Sequence, residues 1–287
     1  MSNKSRNPLP GFGLTLGFTL FYLSALVLIP LGGLAWRTLH LSFHDFWKYV
    51  WTERAIAAYK LSFGASLLAA AINVLGGVLL AWVLSRYRFP FRRLMDGLVD
   101  LPFALPTAVG GLAIASIYAQ NGWIGSFFAP QSWLGHYFGP NGLQVVATPI
   151  GIVIALVFVS FPFVVRTVQP VLESLDRDVE EAAAMLGAGR ARTFWSVILP
   201  ALGPSILTGF TLAFARSLGE FGSIIFVSSQ IRFKTEIAPM IIVERLESGD
   251  DSSIPSAIAI AVFLMCASFA CLGAINFLES SARRFQK

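Results

Sequence analysis

The chain has 287 residues, of which 55% are hydrophobic and 13% charged, with a mean hydropathy of +0.69 and a formal net charge of +5. Soluble globular domains carry about 25% charged residues, so this composition excludes an ordinary water-soluble domain and makes the bilayer the solvent of the fold. The positive balance calls for no nucleic acid, because Lys and Arg flank apolar stretches instead of forming a separate basic run.

Six apolar stretches are long enough to cross a hydrocarbon core, which takes about 20 helical residues. They lie at 14–36, 61–85, 98–119, 143–165, 204–227 and 254–278. None shows the sustained two-residue alternation of a transmembrane barrel, so an all-α membrane protein with six transmembrane helices is expected. Lys4 and Arg6 precede the first stretch as in a secretion signal. Its apolar run exceeds the ~7–15 residues of a signal core, and no small-residue cleavage pattern follows, which favours a retained helix.

Orientation follows from the distribution of positive charge. With the N-terminus inside, the cytoplasmic segments hold Lys4, Arg6, Arg86, Arg88, Arg92, Arg93, Arg166, Arg177, Arg190, Arg192, Arg283, Arg284 and Lys287. The outer loops hold Arg37, Lys48, Arg54, Lys60, Arg232, Lys234 and Arg245, a division of 13 against 7, and Arg216 within a span completes the 21. Both termini and the loop at 166–203 are therefore expected in the cytoplasm.

His40 and His44 have a spacing that can place two ligands on one helical face, but no carboxylate completes a metal motif, so no metal is expected. His136 stands in an outer loop punctuated by Gly and Pro. The third stretch opens on Pro102, Pro106 and Thr107, followed by Gly110 and Gly111. Two prolines there remove backbone donors, which marks a bend or gate, the other reading being plain packing. Pro162 in the fourth stretch fits the same view.

The polar stretch 181–200, EAAAMLGAGRARTFWSVILP, separates two spans. Leu172, Leu175, Val179, Ala182 and Leu186 recur at steps of three and four, predicting one amphipathic helix. Gly187 and Gly189 supply a stop and turn, and 190–199 predicts a second short helix that Pro200 and Pro204 break. Such a loop can simply pack beneath its own bundle. The run Ala182, Ala183, Ala184 argues instead for close approach by a partner.

Arg216 lies near the middle of the fifth stretch with Glu220 one turn on. An unpaired Arg at that depth costs roughly 2.5–3.5 kcal/mol, so compensation is required. One reading is an ion pair within the helix. The other is that Arg216, Ser217, Gly219, Glu220 and Gly222 face an aqueous path, and the two are compatible. Cys266 and Cys271, five residues apart, point about 140° apart on a helix and are read as packing residues.

The spacing Glu181, Ala182, Ala183, Gly187, Val197, Leu199, Pro200 resembles the signature loop of permease subunits in ABC importers. The segments at 57–111, 161–188, 216–230 and 234–247 further resemble the CysT-type branch, which imports sulfate and thiosulfate. Molybdate permeases are similar around GEFG, while DLPFALPT and RTVQPVLE favour sulfate. The segment ESGDDSS at 247–253 departs from the aromatic-containing turn of those relatives.

The resemblance implies a permease core over 57–278, preceded by a segment at 1–56 with the first helix and followed by a cytoplasmic tail at 279–287. It implies a bacterial-type inner membrane, a cytoplasmic ATPase that receives the loop, a second similar permease, and a solute-binding protein on the outer face, for which 36–60, 120–142 and 228–253 are candidate surfaces. The residues independently require a separate ATPase. A Walker A loop places Gly before its Lys, whereas Lys4, Lys48, Lys60, Lys234 and Lys287 follow Asn, Trp, Tyr, Phe and Gln. No catalytic residues and no cofactor are expected in this chain.

Two other classes fit the residues less well. An ion-coupled carrier uses embedded carboxylates as relays, yet Glu220 is the one acidic residue deep in an expected span. An intramembrane hydrolase needs a nucleophile and base, and all three His lie outside the spans.

Overall fold

The structure is a computed structural model and describes residues 11–250 and 253–284. Every regular element in that range is helical. In order they are α1 (Phe12–Leu39), α2 (Phe43–Val50), α3 (Glu53–Arg86), α4 (Arg92–Val99), α5 (Leu101–Ala104), α6 (Thr107–Tyr118), α7 (Pro149–Ser174), α8 (Arg177–Met185) and α9 (Arg190–Thr193). A π-turn at Phe194–Ile198 leads into α10 (Leu199–Leu218), followed by α11 (Ile224–Ser228), α12 (Ala238–Glu247) and α13 (Ser253–Arg284). Among the described residues, five helical runs are long and apolar enough to cross a membrane: α1, α3, α7, the run Arg190–Leu218, and α13.

The third expected span is not one helix. Asp100 ends α4, Leu105 and Pro106 adopt extended backbone, and the chain restarts as α6 at Thr107. Pro106 has no N–H to continue a helical ladder and disfavours helical backbone at Leu105 before it. The stretch becomes a broken string of three helices.

Other boundaries also move. Residues 143–148 precede α7 as irregular chain, with Ala147 donating to the Val227 carbonyl at 2.8 Å. Its far end runs to Ser174, so Arg166 lies on the helix and not in a loop. The fifth span starts earlier, because the helix from Arg190 is not broken by Pro200 or Pro204. The π-turn just before Pro200, closed by Leu199 N–H to Phe194 O, widens the helix where the missing N–H of Pro200 falls. That span ends at Leu218, short of 227. Helix α13 continues through 279–284, beyond the expected end of the core at 278. Lys4, Arg6, Lys287 and, in the 247–253 segment, Asp251 and Ser252 lie outside the described residues.

The core is the trio α3, α7 and α10. Buried residues on α3 recur every three or four positions and are mostly small, including Ala58, Ala65, Ala69 and Ala81, whereas Leu67, Leu68, Leu75 and Leu79 point outward. Small residues inside and large apolar ones outside is the pattern of helices that pack in lipid. Val164, Val165, Val168 and Leu172 of α7 and Leu202, Ala213 and Phe214 of α10 fill the rest. By contrast α1 buries none of its residues.

A polar seam crosses this trio. Asn73 Nδ2 donates to Val157 O at 3.1 Å and Ser160 Oγ at 2.8 Å, and Ser217 Oγ donates to Ser160 Oγ at 3.1 Å. Replacing Asn73 by alanine removes two of these bonds, so a loss of about 1 kcal/mol is expected. Thermal unfolding of the purified chain in detergent should show a lowered midpoint; an unchanged midpoint would exclude a stabilising role for the seam.

Candidate functional site

The signature loop forms two arms and a turn. Helix α8 starts after the extended pair Leu175 and Asp176. The expected single stripe from Leu172 to Leu186 is therefore split, with Leu172 buried in the core and Val179, Met185 and Leu186 exposed on α8. Gly187 N–H bonds to Ala184 O at 2.9 Å and Ala188 N–H to Ala183 O at 3.0 Å, the paired bonds of a Schellman stop. Gly187 sits at φ 83, where a side chain is strained. Gly189 is extended and opens α9, so it uses no left-handed freedom. Glu181 and Ala182 are exposed, Ala183 and Val197 partly buried, and Leu199 and Pro200 sit beyond the π-turn.

The last turn of α3 braces both arms. Arg86 Nη2 donates to Leu175 O at 3.0 Å and lies 2.7 Å from Glu180 Oε1. Trp82, one turn earlier, packs on Phe194 with ring centroids 5.1 Å apart. A cavity of about 300 Å³ lies between these groups and Glu181, Ala184 and Arg190. Arg86 and Glu180 are far apart in the sequence and no local pattern links them.

A second cluster ties α7 to α4. Arg166 donates to both Asp100 oxygens at 2.8 and 2.7 Å, to Asp96 Oδ1 at 2.7 Å and to Gln169 Oε1 at 2.9 Å. The four-residue spacing of Asp96 and Asp100 was a readable sign of one acidic helix face.

The expected ion pair is present where α10 ends. Arg216 Nη1 lies 2.5 Å from Glu220 Oε2, and the other carboxylate oxygen accepts from Ser223 N at 2.9 Å and Ser223 Oγ at 3.0 Å. Glu220 thus neutralises one cation and satisfies the N-terminus of α11 at the helix break. Glu220 is 2% exposed and Arg216 32%. Ser217 turns into the core seam, whereas Gly219 faces open space.

The two helix breaks meet each other. A Cβ on Gly222 would lie 2.4 Å from Thr107 Oγ1, and one on Gly111 would lie 2.2 Å from Ser223 O. The start of α6 therefore packs directly on the interruption between α10 and α11. Gly110 is buried nearby, facing Phe158, while Pro102 stands on α5.

At the opposite end from α8, Arg54 Nε donates to Glu236 Oε2 at 2.8 Å, and Arg54 also reaches Glu244, which Arg232 contacts at 3.2 Å. Burial works to raise the Glu244 pKa, but the bond and charge of Arg54, with Arg232, hold it below the ordinary carboxylate value. Burial, with the Arg54 charge, lowers that of Arg245.

A bent third string, a broken fifth helix and a braced loop between the fourth and fifth spans fit one class: the chain belongs to the family described as binding-protein-dependent transport system inner membrane component, which matches residues 73–284. It is the inner-membrane permease component of an ABC transporter and not itself an ATPase. Within that family it is 45% identical to the sulfate transport system permease protein CysT of Salmonella typhimurium, over 96% of this chain and 95% of the relative. The CysT protein of Escherichia coli is 44% identical with the same coverage. A solved structure of a bacterial ABC transporter that imports the acidic polysaccharide alginate superposes with a TM-score of 0.76, covering 96% of each chain at 17% identity, which speaks for the fold.

Proposed function

We propose that this chain is the permease subunit of an ATP-driven importer that carries sulfate or thiosulfate across the inner membrane, with molybdate as the runner-up cargo. The names and identity of the CysT relatives support the cargo. The chain crosses six times, the string α4–α6 serving as the third passage, and both termini face the cytoplasm. The observation that carries the mechanism is a rigid elbow with Glu181, Met185 and Leu186 exposed on a helix tied to α3 through Arg86.

Helix α8 enters a cleft of a cytoplasmic ATPase, and a second similar permease completes the path. A solute-binding protein delivers the anion to the outer face. Moving a doubly charged oxyanion through hydrocarbon costs tens of kcal/mol by Born reasoning, so donors and positive charge must line the route. Arg216, with its charge already balanced by Glu220, attracts an anion without trapping it. Gly219 gives backbone access beside it, Gly222 lets Thr107 pack against the break, and the bend from Pro102 through Pro106, Thr107 and Gly110 is the moving part of the gate.

The test is uptake of labelled sulfate by proteoliposomes holding the chain with its genetic neighbours, with thiosulfate and molybdate as competitors. ATP-dependent uptake competed by thiosulfate is expected. Replacing Gly187 by valine, which strains the elbow by about 1–2 kcal/mol, should leave ATP hydrolysis while uptake falls. Uptake that persists without ATP under clamped ion gradients would instead establish a carrier.

A further inference from the structure

The connector between α6 and α7 contains a tandem repeat that none of the roles above uses. Residues 118–127 read YAQNGWIGSF and residues 128–137 read FAPQSWLGHY. Aromatic, Ala, Trp, Ile or Leu, Gly and a final aromatic recur in the same order ten residues apart. The backbone repeats as well. Gly122 N–H bonds to Ala119 O at 2.7 Å and Ser132 N–H to Ala129 O at 2.9 Å; Phe127 N–H bonds to Ile124 O at 3.1 Å and Tyr137 N–H to Leu134 O at 3.2 Å.

Both units close in a 3₁₀ turn, at Gly125–Phe128 and Gly135–Phe138. The glycine that starts each turn presses on the carbonyl six residues earlier, where a Cβ would come within 1.9 Å of Ala119 O or Ala129 O. Each unit then presents aromatic rings outward at the same two positions. Trp123 is 81% and Phe127 55% exposed in the first, Trp133 73% and Tyr137 78% in the second.

The charge pattern identifies what covers these rings. No Asp, Glu, Lys or Arg occurs between Asp100 and Arg166, so the whole connector, residues 119–148, holds none of these four. A water-exposed stretch of that length carries about seven charges at ordinary composition. A surface for a soluble protein partner keeps a polar rim around its aromatic anchors; here polar groups such as Gln120, Gln131 and Ser132 stand near the rings, but no Asp, Glu, Lys or Arg does. Trp and Tyr collect at the membrane–water boundary, where an apolar ring meets lipid and its N–H or O–H stays wet. The connector joins two segments of the membrane bundle and so begins and ends at that boundary.

We propose that the two turns form an aromatic anchor that lies in the interfacial layer of the outer leaflet, its occupant being phospholipid headgroups and upper acyl chains. It holds the junction of α6 and α7, and with it the bent string beside Gly222, at a fixed depth. This rests on the reading that α6 and α7 cross the bilayer; it is independent of the cargo. It also withdraws 120–142 from the candidate surfaces for a binding protein.

The experiment uses the full chain with its partners in proteoliposomes of phosphatidylcholine whose acyl chains carry bromine near the headgroup. Tryptophan emission is compared between the unmodified chain and W123F/W133F, with the single variants W123F and W133F used if the double variant does not assemble. The difference, which reports these two rings, should lose more than half of its intensity in brominated lipid and little to aqueous iodide. The proposal is overturned if that difference is untouched by bromine and quenched by iodide. It is equally overturned if protection from iodide arises only when the solute-binding protein is added. Either result is readable whether or not sulfate is transported.

Discussion

Replacing Glu220 by alanine is expected to cost about 3 kcal/mol of stability and to abolish uptake. The carboxylate is 2% exposed and holds three partners: Arg216 at 2.5 Å, Ser223 N at 2.9 Å and Ser223 Oγ at 3.0 Å. Removing one member of a buried pair leaves the other uncompensated, which typically costs 3–5 kcal/mol. Arg216 is 32% exposed, which places the cost at the lower end. The double variant R216A/E220A removes both charges and should recover most of the stability, yet still fail to transport, because the anion then meets no positive charge at the break. Thermal unfolding in detergent and labelled sulfate uptake separate the two effects. A double variant that transports at the unmodified rate would reduce the pair to packing.

Alanine at Arg86 is expected to lower the number of anions moved per ATP by about tenfold, equivalent to 1.4 kcal/mol of coupling. The guanidinium joins the last turn of α3 to Leu175 O and Glu180, immediately before Glu181. Without it, α8 keeps its own hydrogen bonds and its exposed face, so the ATPase still docks, but displacement of α8 no longer pulls on α3. Because Arg86 and Glu180 act as one unit, R86A/E180A should be no worse than R86A alone, the signature of a coupled pair. Uptake and ATP hydrolysis measured on the same proteoliposomes give the ratio, and additive losses in the double variant would refute the coupling. Co-purification of the ATPase confirms that docking survives.

Apolar length alone located the long helices, because about 20 apolar residues have few other stable uses. The elbow was legible for a similar reason: Gly187 is the residue type that a left-handed stop requires. What the sequence hid was non-local. Leu172 and Leu186 have helical spacing, yet Leu172 belongs to the α7 core and Leu186 to the exposed arm, a split made by the extended backbone at Leu175 and Asp176. Pro200 reads as a breaker by composition, but a wider turn ahead of it accommodates the missing donor. The meeting of Thr107 with Gly222, and of Arg86 with Glu180, depends on how helices distant in sequence lie together, and no window of sequence contains it.

The π-turn at Phe194–Ile198 has a consequence for heredity as well as for shape. A π-turn is an α-turn holding one surplus residue, and each residue of a helix advances the direction of all that follow by about 100°. The surplus therefore sets the rotational phase between the elbow and Arg216, some twenty residues on. Loss of a single codon within the turn would leave a continuous helix and an intact reading frame downstream. The same loss would swing Arg216 and the start of the helix break toward a different neighbour, so this short segment tolerates exchange of residues far better than any change in their number.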